Sequence, residues 1–196
     1  MNIPSRKAVA LRAARILRLR IVRRFLKKDD GSAAIEFGFV AAPFLALVFA
    51  IMETGLVFFA GQTLETAAAD SARLIMTGQA QTQGFNEAKF KEEVCKRVTG
   101  LFNCAADLKV DVRTYSSFSN IDSTKPEIDP LTGAIKGSFT YNAGGPGDVV
   151  VVKLMYAFPV YASLLGFNLA DTANKRLLMA TSAFRNEPYQ GSLPSS

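Results

Sequence analysis

Residues 27–37 read Lys-Lys-Asp-Asp-Gly-Ser-Ala-Ala-Ile-Glu-Phe. A basic stretch ends at Gly31, an apolar run begins at once with Ser32, and Glu36 stands at the fifth position after the glycine. A carboxylate near the start of a membrane helix costs up to ~2.5–3.5 kcal/mol if drawn to mid-bilayer, so such a group is a functional candidate by default. A second acid, Glu53, closes the same apolar run. The only thiols are Cys95 and Cys104, which suit one structural bridge and no metal site. With no histidine in the chain, His-based triads and His-containing zinc centres are excluded. Gly144-Gly145-Pro146-Gly147 lacks the Lys-Ser/Thr pair of a phosphate loop and reads as a hairpin turn. Asp129-Pro130-Leu131-Thr132-Gly133 has too few oxygen ligands for a calcium loop and reads as a turn. Asp107 and Asp111, beside a strand start, read as solvated. No nucleophile–base pair is visible; neither an enzyme, a cofactor nor a metal is expected.

Charge is distributed unevenly along the 196 residues. The net charge of +6 arises wholly from residues 1–31, which hold ten Lys/Arg against two acids. The remainder holds thirteen basic and fifteen acidic residues, so the body is near neutral and no nucleic-acid partner is expected. On a helical wheel the basic and apolar residues of the leader mix on all sides, which argues against an amphipathic surface helix.

From Phe37 to Met52 sixteen residues carry no charge, and the flanks are largely apolar. Residues 33–60 span about 42 Å as a helix, enough to cross a hydrocarbon core of about 30 Å with both glutamates near its edges. The lipid bilayer is therefore an expected partner. A tenfold basic flank before the run puts the N-terminus in the cytoplasm and residues 61–196 outside. The helix is expected to continue past the membrane, because Leu64, Ala67, Ala68, Ser71, Ala72 and Ile75 recur at helical spacing, and to stop at Thr77-Gly78.

A second helix is predicted over 86–99, capped by Asn86, stapled by Phe85 and Phe90, and buried through Phe90, Val94 and Val98. Alternation predicts strands at 110–115, 149–158 and 177–185, with a short one at 139–141 and a surface loop over 120–137. In the second of these, Val150, Val152, Leu154, Tyr156 and Phe158 share one face. The expected organisation is a basic cytoplasmic leader (1–31), a transmembrane helix (32–60), a head (61–189) and a frayed tail (190–196). The fold class is α+β: a long N-terminal helix entering a small extracytoplasmic head with a short helix and an antiparallel sheet of three to four strands. In an oxidising compartment a Cys95–Cys104 disulfide is expected.

Gly31, Ser32 and Glu36 stand as in the type IV pilin processing site, and GSAAIEFGFVAAPFLALVFAIMETGLVFF resembles the N-terminal signature of TadE-like pseudopilins of the tight-adherence (Tad/Flp) pilus system. Glu36-Phe37, Pro43 and Glu53-x-Gly55 all fit that pattern. The cysteine pair, Val110-Asp111-Val112-Arg113, Gly147-Asp148-Val149-Val150-Val151 and Phe184-Arg185-Asn186-Glu187-Pro188-Tyr189 are also similar to family members. The resemblance implies a pilin-like fold and a minor pseudopilin of the bacterial inner membrane with a periplasmic head. It implies cleavage after Gly31 by a prepilin peptidase, and work with a partner pseudopilin, the Flp pilin and the inner-membrane Tad assembly platform. Cleavage would free an amine on Ser32, with which Glu36 of a neighbouring subunit can pair in lipid. The alternative is an uncleaved single-pass anchor carrying a binding or structural head.

Overall fold

The computed structural model describes residues 32–98, 100, 102–122, 124–161 and 169–189. The chain divides into two compact units, Met1–Val48 and Phe49–Ser196. Helix α1, Ser32–Met76, runs 45 residues and carries Pro43 inside it. In the first unit the described residues are all helical, and Phe37, Phe39, Val40, Phe44, Leu45 and Leu47 are exposed, each by about half or more of its surface. An apolar helix face left open to this extent needs lipid or a partner around it.

In the second unit α1 is followed by the one-turn helix α2 (Gln79–Thr82), then α3 (Glu87–Arg97) and the one-turn α4 (Cys104–Asp107). Strand β1 (Lys109–Tyr115) follows, then a 3₁₀ turn (Phe118–Asn120) and the short strands β2 (Glu127–Ile128) and β3 (Ile135–Lys136). Two long strands, β4 (Val149–Pro159) and β5 (Lys175–Arg185), complete the fold. The main sheet is antiparallel in the order β1-β4-β5, and β2 pairs with β3 in a separate two-stranded sheet. The expected α+β architecture of a long apolar helix and a small head is what the chain adopts.

The expected helical stripe is the packed one. Leu64, Ala67, Ala68, Ser71, Ala72 and Ile75 are all 3% exposed or less, while Glu65, Asp70 and Arg73 lie on the open side. The apolar ones share one core with Phe90 and Val94 of α3, Val98 just past it, Val110 and Val112 of β1, and Val150, Val152, Leu154, Tyr156 and Phe158 of β4. Asn86 caps α3 as expected, its Oδ1 accepting from the Lys89 N–H at 2.9 Å. Two hydrogen bonds tie the ends of the packed helix to the ends of the sheet. The Tyr161 N–H, just past β4, donates to the Glu53 carboxylate. The Glu187 N–H, just past β5, donates to the Met76 carbonyl at 2.8 Å. From Glu53 to Met76 a helix rises about 35 Å, and β4 is about 33 Å long. The lengths match, so this stretch of α1 runs along the strands.

Several expectations are corrected. Asp111 is not solvated but only 7% exposed. Its Oδ1 accepts from the Thr140 N–H at 3.0 Å and from Arg113 Nε at 2.9 Å. The reason is that the chain after β1 folds back over the sheet face opposite the helices, where Val149, Val151, Met155 and Ile135 are also buried. Within the expected loop at 120–137 lies the β2–β3 pair. Residues 139–141 form no strand; Tyr141 makes an isolated parallel bridge to Val112. The turn at 144–147 is not a hairpin turn, since it leads into β4, whose partners are β1 and β5.

Candidate functional site

Processing in the sequence reading rests on Gly31, Ser32 and Glu36. Gly31 and the leader before it, like the tail after Tyr189, lie outside the described residues. Ser32 is the first residue of α1, and Glu36 is exposed one turn later. Four residues along a helix advance about 6 Å and return to nearly the same face, so Glu36 lies below the Ser32 backbone nitrogen. No acidic residue occupies the first turn itself, so Glu36 is the first carboxylate of the helix. Glu53, the other acid of the apolar run, is half-buried and accepts the backbone N–H of Tyr161. Its neighbour Thr54 returns its hydroxyl to the Ala50 carbonyl at 2.8 Å, which satisfies that group within the helix.

Where α1 ends, three distant segments meet. Gly78 takes a left-handed φ of 77°, turning the chain out of the helix. A Cβ there would fall under 3.0 Å from atoms of the Tyr189 ring, so the ring lies directly on the bare glycine backbone. Asn186 is buried, and its Nδ2 donates to the carbonyls of Ala143 and Gly145, both at 2.9 Å. Gln81 Nε2 donates to Ala143 O at 3.0 Å from the other side. Burial, with the Asp148 charge beside it, pushes the Tyr189 hydroxyl above its ordinary pKa. The motifs around Gly147 and Asn186, noted separately in the sequence, are thus two sides of one clasp on the helix end.

Cys95 and Cys104 form a disulfide, with Cα atoms 5.6 Å apart, joining the last turn of α3 to α4. Beside it the Asn103 N–H donates to Tyr156 Oη at 3.1 Å, and Phe102 meets the Tyr156 ring edge-on at 4.7 Å. The bridge therefore joins the helical layer to the central strand through its neighbours.

On the opposite face of the sheet an open cleft of about 420 Å³ is lined by Asp111, Arg113, Lys136, Phe139, Lys153 and Met155, among others. Three of its cations are engaged within the chain: Arg113 with Asp111 at 2.9 Å, Lys136 with Asp129 at 3.1 Å, and Lys153 with the Asp122 carbonyl. The N–H groups of Thr132 and Leu131, and then Lys136, hold Asp129 well below the usual carboxylate range, which fits the turn read there in the sequence. Burial pushes Tyr141 up to about 12. Among the described residues no group of three or more Cys, Asp or Glu side chains could hold a metal ion.

The molecule so described has one helix near its N-terminus long and apolar enough to cross a membrane, followed by a disulfide-bonded α+β head. Residues 31–73 match the family model described as TadE-like protein, which begins at Gly31 and runs almost to the end of α1. No curated protein and no solved structure matches the chain. The resemblance read from Gly31, Glu36, Pro43 and Glu53 is therefore supported over that stretch.

Proposed function

We propose that this chain is a minor pseudopilin that serves the assembly of Flp/Tad pili and carries out no enzymatic reaction. The leader is removed after Gly31 by a prepilin peptidase. The mature chain sits in the bacterial inner membrane through the first half of α1, with its head in the periplasm. The observation that carries this reading is the TadE-like match across Gly31, Glu36 and the helix that follows. The build of α1 supports it: its first part leaves apolar side chains exposed, as an anchor in lipid requires, and Leu64–Ile75 are packed on the head.

Glu36 supplies the assembly contact. After cleavage the Ser32 amine and the Glu36 carboxylate are opposite charges near lipid, where their attraction is weakly screened. Pairing Glu36 of one subunit with Ser32 of the next satisfies both and sets the stagger between subunits. The partners are another pseudopilin, the Flp pilin and the inner-membrane assembly platform. In a strain lacking the chromosomal copy, Glu36→Gln should leave membrane insertion intact and reduce pilus output at least about tenfold, the loss expected for one broken charge pair. Wild-type piliation in that strain refutes the pairing.

A further inference from the structure

At the Glu53 end of the head two large apolar side chains next to the sheet are exposed among the described residues. Tyr161, 88% exposed, follows β4 at the point where its N–H meets Glu53. Leu131, 90% exposed, crowns the β2–β3 turn. That turn is tied to the same end of the sheet, because Thr172 Oγ1 donates to Pro130 O at 3.4 Å and Lys175 Nζ to Thr132 O at 3.2 Å. Lys175 lies opposite Pro159, the last residue of β4. On α1, Phe58 and Phe59 are exposed one to two turns past Glu53, about 8 Å further along the helix. Single exposed apolar residues need no explanation, but here two loop tips and a helix end place them together.

We propose that this end of the head rests on the bilayer, with Leu131 and Tyr161 inserted at the lipid–water interface beside Phe58 and Phe59. The proposal rests on the reading of α1 as membrane-spanning. The occupant follows from position along the chain: the sequence of α1 is free of charge from Phe37 to Met52, and Glu53, which closes that run, accepts the Tyr161 N–H. Tyrosine suits that level, with an apolar ring and a hydroxyl that reaches water, and Lys175 supplies a cation where lipid phosphates lie. The Glu53–Tyr161 hydrogen bond then fixes the tilt of the head on the membrane, because it sets which strand ends touch down. Two supports, the helix and the loop tips, hold a head more firmly than a single stalk.

The chain contains no tryptophan, so a single introduced one reports its own depth. The full chain is placed in nanodiscs of ordinary or brominated phosphatidylcholine, as the variants Leu131→Trp, Tyr161→Trp, Phe118→Trp and Phe44→Trp. Phe118 is 53% exposed and lies beyond β1 at the opposite end of the sheet, about 30 Å away. Leu131→Trp and Tyr161→Trp should emit toward the blue and be quenched by brominated lipid, as Phe44→Trp is, while Phe118→Trp is not. Quenching of Phe44→Trp with either loop variant behaving like Phe118→Trp overturns the seated head and leaves the membrane helix standing. An unquenched Phe44→Trp overturns both.

Discussion

Gly78→Ala tests whether the clasp at the end of α1 holds the head together. Two independent costs apply. A residue with a Cβ at φ 77° carries a left-handed penalty of about 1–2 kcal/mol. The new methyl would also fall under 3.0 Å from atoms of the Tyr189 ring, which must swing out. That movement gives up the ring's packing and its hydroxyl contact with the Gly144 carbonyl at 3.4 Å, worth about a further 1–2 kcal/mol. The sum is about 2–4 kcal/mol, a large share of the stability of a small head. Urea unfolding of nanodisc-held protein, followed by near-UV circular dichroism, measures it. In a Tyr189→Ala background the same substitution should cost only the backbone part, about 1–2 kcal/mol. A cost below about 0.5 kcal/mol in the native background refutes the geometry altogether, since surface changes alone reach that size. An equal cost in both backgrounds refutes the ring contact.

Other substitutions probe the core and the bridge. Cys95→Ser should lower head stability by about 2.5–3 kcal/mol, the chain-entropy value for so short a loop, and urea unfolding with and without reductant should show the same difference. Neither cysteine should react with a thiol label until reductant is added; free labelling of the native chain refutes the bridge. Ser71→Ala should raise stability by about 0.5–1.5 kcal/mol, because Ser71 is fully buried among apolar side chains, its hydroxyl finds no hydrogen-bond partner among the described residues, and alanine favours helix. A loss of stability in the same unfolding assay would show that the hydroxyl has a partner in solution.

The packed half of α1 was legible in the sequence because one physical demand, burial of one helix face, acts on residues three and four apart. The cap at Asn86 and the core face of β4 were legible for the same local reason. Asp111 was not. Alternation along β1 assumes that one sheet face meets water, and nothing local announces that the chain after Tyr115 returns to cover it. The turn chemistry of Gly144–Gly147 was readable, but turn residues specify a bend and not which strands it joins. Contacts such as Glu53 with Tyr161 link residues 108 apart and leave no mark on either neighbourhood. The processing motif is read from the sequence alone, since Gly31, Ser32 and Glu36 lie within six residues and Gly31 is outside the described residues; the clasp around Gly78, Asn186 and Tyr189 emerged only from the fold.

The N-terminus of the membrane-bound chain tests the central claim most directly. The protein is purified from membranes of cells with an active prepilin peptidase, and its intact mass and first residues are determined. The pseudopilin account predicts a chain beginning at Ser32, with residues 1–31 removed, and retention of the leader in a Gly31→Val variant, where a side chain stands beside the scissile bond. A native chain that keeps its leader in full, or a Gly31→Val chain cleaved as completely as the native one, contradicts the account.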